Sequence, residues 1–166
     1  SPVPDTSLAV RRPRDVVAVV GPDARAYLQG QLSQDVEALE VGGSAETFLL
    51  QPAGKVDAWM RVSRLADDHY LLDVEAGFGS QVVARLTRFL LRTDCTIEEV
   101  EWDLVTVIDA EASGFNPPAG GLALPVEWPG LVAVDLLGPS VEVPGGLGEG
   151  SPQDWEARRI AAGIPA

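Results

Sequence analysis

Residues 56–75 read Val56-Asp-Ala-Trp-Met-Arg-Val-Ser-Arg-Leu-Ala-Asp-Asp-His-Tyr-Leu-Leu-Asp-Val-Glu75. Val56, Ala58, Met60 and Val62 alternate with Asp57, Trp59, Arg61 and Ser63, the period of two that turns one face of a β-strand to a core. Asp67-Asp68 breaks the run, and His69–Glu75 resumes as a second strand. Thr47–Leu50 reads as a strand before this pair, with the turn Gln51-Pro-Ala-Gly54 between them.

Working outward, the next segment changes period. Val82, Val83, Leu86, Phe89 and Leu90 form one apolar stripe at helical spacing, with Ser80 as the expected N-cap. Arg85, Arg88 and Arg92 fall on another side of the same predicted helix. Cys95–Glu101 and Leu104–Asp109 read as further strands. Upstream, Val16–Val20 is a β-branched strand stopped by Gly21-Pro22-Asp23, and Tyr27, Leu28 and Leu32 give a short helix its apolar face. The order strand-helix-strand-strand-strand-helix-strand predicts an α+β fold close to a ferredoxin-like split βαβ plan with an added hairpin.

The ends read differently. Residues 1–14 are polar and punctuated by Pro, and are read as an arm. Residues 15–110 form the ferredoxin-like sub-domain. Residues 111–166 begin a Gly/Pro-rich second sub-domain with short apolar islands and a final helix opened by Ser151-Pro152 and closed by Gly163.

Composition narrows the function. Of 166 residues, 46% are hydrophobic and 22% charged, a globular composition. The net charge of −13 disfavours direct binding to nucleic-acid phosphates or to acidic lipid surfaces. One Cys and one His leave no ligand set for a multi-Cys or multi-His metal centre. No apolar run is long enough to span a membrane and no leader pattern opens the chain, so the expected location is cytoplasmic. Cys95 reads as a buried structural thiol and His69 as a half-buried side chain. Gly145-Gly146-Leu147-Gly148 lacks the Lys-Ser/Thr of a phosphate loop.

Two stretches carry candidate chemistry. In Leu28–Val36, Gln29, Gln31, Gln34 and Asp35 crowd a helix end. Amides that both donate and accept suit a heterocycle with alternating donors and acceptors, and a carboxylate can hold two of its N–H groups. The alternative is a helix C-terminus with Asp35 satisfying local backbone. In Gln51–Trp59, the only lysine, Lys55, and Asp57 flank the turn; the alternative there is an exposed hairpin with an incidental ion pair.

Taken together, Val19–Val36, Leu49–Ala58, Tyr70–Val74, Arg88–Arg92 and Trp155–Pro165 resemble, in order, the YgfZ family of folate-binding proteins, relatives of the glycine-cleavage T-protein, an aminomethyltransferase. The resemblance implies a tetrahydrofolate-binding protein, accessory to iron–sulfur protein synthesis or repair, with indirect effects on tRNA modification. It implies no catalytic residue here: the family's K-G-C segment does not occur before Ala166, and Cys95 is not its counterpart. Gln29, Gln31, Gln34 and Asp35 would lie near the pterin, Lys55 and Asp57 at the hairpin rim, and Arg92 against the anionic glutamate tail. Folate and iron–sulfur proteins are the implied partners. Two alternatives stand beside this reading: a folate-dependent aminomethyltransferase of the T-protein type, and a truncated, non-catalytic interaction module. An apolar face normally covered by further sub-domains would favour a homodimer.

Overall fold

Strand β1 (Leu8–Arg12) lies where the sequence suggested an unstructured arm. Its Ala9 and Val10 are buried, and it pairs antiparallel with β7 (Asp103–Ile108), matching Ala9 to Val107. The pairing joins residues almost a hundred positions apart, so no local pattern announces it. The computed structural model describes residues 7–48 and 59–164. They form two compact units, Arg14–Glu101 and the remainder on either side of it. The fold is mixed α and β, with one five-stranded sheet in each unit.

The Arg14–Glu101 unit contains β2 (Arg14–Val20), α1 (Ala24–Gln31), β3 (Ser44–Phe48), β4 (Trp59–Ala66), β5 (His69–Glu75), α2 (Gly79–Arg88) and β6 (Thr96–Val100). This is the element order expected from the sequence. The strands lie in the order β3-β4-β5-β2-β6, all antiparallel. Val17, Val19, Met60, Val62, Leu72 and Val74 face one way and pack with Leu28 and Leu32 from the α1 region and Val82 and Leu86 of α2. Both helices therefore cover the same face. Each fully buried aliphatic side chain contributes about 1.5–3 kcal/mol, which makes this layer the main source of the unit's stability. The alternate positions, Arg61, Ser63 and Asp73, point to the other face.

Helix α2 departs from its sequence reading at both ends. It stops at Arg88, so Arg92 lies beyond it rather than on its arginine row, with a left-handed φ of 53°. At the other end Ser80 lies inside the helix and the cap comes from afar: the Gly77 and Gly79 N–H groups both donate to Asp15 Oδ2 at 2.9 Å. The carboxylate satisfies amides that the helix itself leaves unpaired. Gly79 is required there, because a Cβ would stand 2.7 Å from Glu99 Oε1 and 2.8 Å from Asp15 Cβ.

The second unit holds β1, β7, β8 (Leu122–Trp128), β9 (Leu131–Gly138), β10 (Gly148–Gly150) and α3 (Pro152–Ala162), with sheet order β10-β1-β7-β9-β8. Leu104–Asp109, assigned from sequence to the 15–110 sub-domain, instead supplies the central strand of this sheet, between β1 and β9. The apolar islands of the Gly/Pro-rich segment are the β8–β9 hairpin. Helix α3 begins and ends as its sequence predicts: the Ser151 N–H donates to Asp154 Oδ2 at 2.7 Å, and Gly163 takes the left-handed conformation. Its Trp155 is buried, with the Arg12 guanidinium 4.2 Å from the ring centre. No helix among the described residues is long and apolar enough to cross a membrane.

Candidate functional site

The end of α1 is held from two sides. Gln29 Oε1 accepts the Glu37 N–H at 2.9 Å, which closes the loop onto the short 3-10 turn Val36–Ala38. Gln31, two residues on, points elsewhere on the helix and accepts from Arg85 Nη1 of α2 at 3.5 Å. The α2 arginine that meets the glutamines is therefore Arg85. Arg92 is exposed and beyond the helix end. Tyr27 Oη also ties the helices together, donating to the Leu86 carbonyl at 2.5 Å.

Gln34 and Asp35 are different. Both are exposed, and among the described residues neither side chain has a hydrogen-bond or ion-pair partner. Asp35 precedes the 3-10 turn without capping it through its side chain, so the local-satisfaction alternative does not describe its carboxylate. An amide and a carboxylate side by side offer one donor group and several acceptors, a set that fits the edge of a heterocycle carrying N–H and C=O groups.

Ser33 links this helix end to the sheet. Its N–H donates to the Phe48 carbonyl at 3.0 Å, and the Phe48 N–H donates to Ser33 Oγ at 3.0 Å. Phe48 pairs with Trp59 across β3 and β4, and their rings meet edge to face with centroids 4.4 Å apart. Phe48 and Trp59, the described residues on either side of 49–58, thus stand together, and Phe48 is bonded to Ser33. Lys55 and Asp57 lie outside the described residues, as does the predicted turn at Gln51–Gly54.

A second constellation lies on the sheet face away from the helices, and the sequence reading missed it. Glu46, Arg61 and Asp73 occupy one cross-strand row over β3, β4 and β5. Asp73 is fully buried and receives Arg14 Nε at 2.8 Å on one oxygen and Arg61 Nε at 2.9 Å on the other. Burial alone would push the Asp73 carboxyl upward; the two guanidinium groups, Arg61 foremost, override it and hold the acid below its ordinary range. The available signal was an acid in the middle of the apolar run Tyr70-Leu-Leu-Asp-Val74, since a buried carboxylate requires a paired cation.

Cys95 is buried, as expected from the sequence, and burial, with Asp23 and Asp94 adding to it, raises the thiol above its ordinary value. The partly buried His69 imidazole is lowered by burial. No group of three or more His, Cys, Asp or Glu side chains able to hold a metal ion occurs among the described residues. In the second unit a cleft of about 740 Å³ opens beside Glu111, Ser113, Pro125, Trp128, Pro129 and Leu131.

With this geometry in place, comparison with known proteins decides the family. The profile described as the GCVT N-terminal domain matches residues 15–110, more than half of the chain. The chain belongs to the GCVT N-terminal domain family. A protein of Haemophilus influenzae described as uncharacterized is 25% identical over 150 residues, covering 90% of this chain and 51% of the relative. An aminomethyltransferase of Lysinibacillus sphaericus is 42% identical over 60 residues, covering 36% of this chain and 16% of the relative. Among solved structures, the glycine cleavage system aminomethyltransferase T from Bartonella henselae superposes with a TM-score of 0.65 at 19% identity, over 80% of this chain and 42% of the other. That likeness shows a shared GCVT-type fold. The chain spans about half the length of the Haemophilus relative and less of the other two.

Proposed function

We propose that this GCVT-family chain is a tetrahydrofolate-binding protein of the YgfZ type, accessory to the synthesis or repair of iron–sulfur proteins in the cytoplasm. The observation that carries the folate reading is the family match over residues 15–110. The α1 end supports it, because Gln34 and Asp35 present side chains without partners where a pterin edge needs donors and acceptors. In this reading Gln29 and Gln31, already bonded to Glu37 and Arg85, hold the loop that carries Gln34 and Asp35. In the same reading Lys55 and Asp57 contribute to folate binding, and Arg92 meets the anionic tail. When bound, the folate would supply one-carbon chemistry; the chain's own residues would bind and orient it.

The Arg14–Glu101 unit is assigned a ferredoxin-like plan. Support for this plan comes, leaving aside the edge strand β3, from the order β4-β5-β2-β6 with both helices on one face. The second unit is assigned as part of a larger sub-domain, given the share of each relative that the chain spans.

A second reading, a folate-dependent aminomethyltransferase, is favoured by the 42% identity to the Lysinibacillus enzyme. Calorimetric titration with tetrahydrofolate tests the shared claim: saturable heat is expected for the wild type, with at least roughly tenfold weaker binding for Asp35→Ala, as for loss of a charged hydrogen-bonding partner. Absence of binding heat at millimolar ligand would overturn both readings. A turnover assay with an aminomethyl donor separates them, since only the transferase forms a methylene-folate product.

A further inference from the structure

Helix α2 is electrically polarised, and its basic end is greasy. Residues 76–93 hold three arginines and no acidic residue, in a chain with 25 Asp and Glu. Arg88 and Arg92 are exposed, and neither makes an ion pair among the described residues. Between them Leu91 is 81% exposed and Phe89 49% exposed. This apolar tip is built rather than frayed. The Leu91 N–H donates to the Phe89 carbonyl at 2.9 Å, and Thr93 Oγ1 donates to the Leu91 carbonyl at 3.0 Å.

The other end of the same helix is acidic. Strand β6 runs back alongside α2 and brings Glu99 against Gly79, where Asp15 already caps the helix. Glu99 is exposed and, paired with Val17, faces the helix-bearing side of the sheet; Glu101, also exposed, follows just past the strand end. Acid at the N-terminus and Arg at the C-terminus suit the macrodipole of the single helix. They do not account for Leu91, exposed at the basic end beside a Phe89 ring that the Arg85 guanidinium covers only in part.

We propose that the outer face of α2 and the turn after it dock a second copy of this chain, antiparallel, about a twofold axis near the helix midpoint. That operation sets Arg88 and Arg92 of each copy opposite Glu99 and Glu101 of the other, and covers Leu91 and Phe89. The exposed side chains at the crossing, Ala84 and Thr87, are small and let the helices approach. An isologous contact of this kind closes on itself and builds a dimer rather than a filament. Although each copy carries −13, distant charges are screened over about 8 Å, so the local pairing decides.

Sedimentation velocity over a concentration series tests it. A dimer is expected at low salt that dissociates as salt is raised. R88E/R92E is expected to weaken dimerisation by roughly tenfold or more, and mixing it with E99R/E101R to restore a mixed dimer. L91S is expected to weaken the dimer without changing its salt dependence. It remains decisive if circular dichroism shows that a charge-reversed variant fails to fold. A chain that stays monomeric at low salt and high concentration would overturn the proposal, as would a dimer unmoved by both R88E/R92E and L91S. Neither result bears on folate binding.

Discussion

Ser33 and Phe48 exchange two hydrogen bonds, the serine amide to the phenylalanine carbonyl and the phenylalanine amide to the serine hydroxyl, each at 3.0 Å. The end of α1 and the end of β3 are thereby one structural joint, and the 49–58 segment begins one residue past it. Replacing Ser33 by Ala removes one of the two bonds and leaves the other. The expected loss is about 0.5–1.5 kcal/mol of stability, measured by urea unfolding with an unchanged m-value. If the α1 end forms part of a folate site, tetrahydrofolate affinity falls as well, because the loop carrying Gln34 and Asp35 loses an anchor.

Asp73 is the most consequential carboxylate in the Arg14–Glu101 unit. Asp73→Asn removes the buried carboxylate that the Arg14 and Arg61 guanidinium groups both bond. Removing one member of a buried ion cluster costs about 3–5 kcal/mol. The variant is therefore expected to unfold at markedly lower urea than the wild type.

The same carboxylate sets an acid dependence. Its folded pKa lies below the unfolded value of about 3.9, so its contribution is fully present above that value. As pH falls through the unfolded and then the folded pKa, the unfolded chain binds the proton first and stability declines. Urea midpoints measured from neutral pH to below pH 4 should fall steeply for the wild type and less steeply for Asp73→Asn.

Gly121 stands where β8 begins, and a Cβ there would lie 2.1 Å from the Leu137 carbonyl oxygen and 2.8 Å from Gly138 Cα. Both obstacles are backbone, so no rotamer change relieves them. Gly121→Ala is expected to cost at least about 2 kcal/mol, read as a lowered thermal midpoint.

Arg158 grips Asp109 through two bonds of 3.0 and 2.7 Å. Their side chains are 39% and 38% exposed, so solvent screens the pair. Arg158→Ala is expected to lower stability by no more than about 1 kcal/mol. The clearer readout is the Asp109 carboxyl, held below its ordinary range chiefly by the Arg158 hydrogen bonds. Its NMR titration should move up toward the ordinary value in the variant.

The legible parts of this fold are those with a local cause. Strand β5 begins and ends where the sequence places it, because Asp67-Asp68 and Gly77 bracket a β-forming run that is apolar from Tyr70 to Val74 but for Asp73. Helix α3 carries its own start in Ser151-Pro152 and its stop in Gly163. The candidate site is legible in composition more than in contacts. The glutamine-rich helix end is identifiable by residue type, yet nothing local says that Gln29 and Gln31 would be spent on Glu37 and Arg85 while Gln34 and Asp35 stay available. Arg92 illustrates the converse: its spacing from Arg88 places it on α2, but the chain leaves the helix after Arg88 and turns left-handed before reaching it.

By itself, the sequence determined the element order of the Arg14–Glu101 unit, the layer of apolar residues that its helices bury, and the resemblance that leads to the GCVT family. Periodicity and turn residues are local, and they act before any long-range contact exists. Only the tertiary structure decided that β1 belongs to the second sheet, that Asp15 caps a helix more than sixty residues away, and that Arg14 and Arg61 close on Asp73. Those pairings depend on which strands become neighbours, and a carboxylate satisfied by arginines from two other strands leaves no trace in the residues beside it.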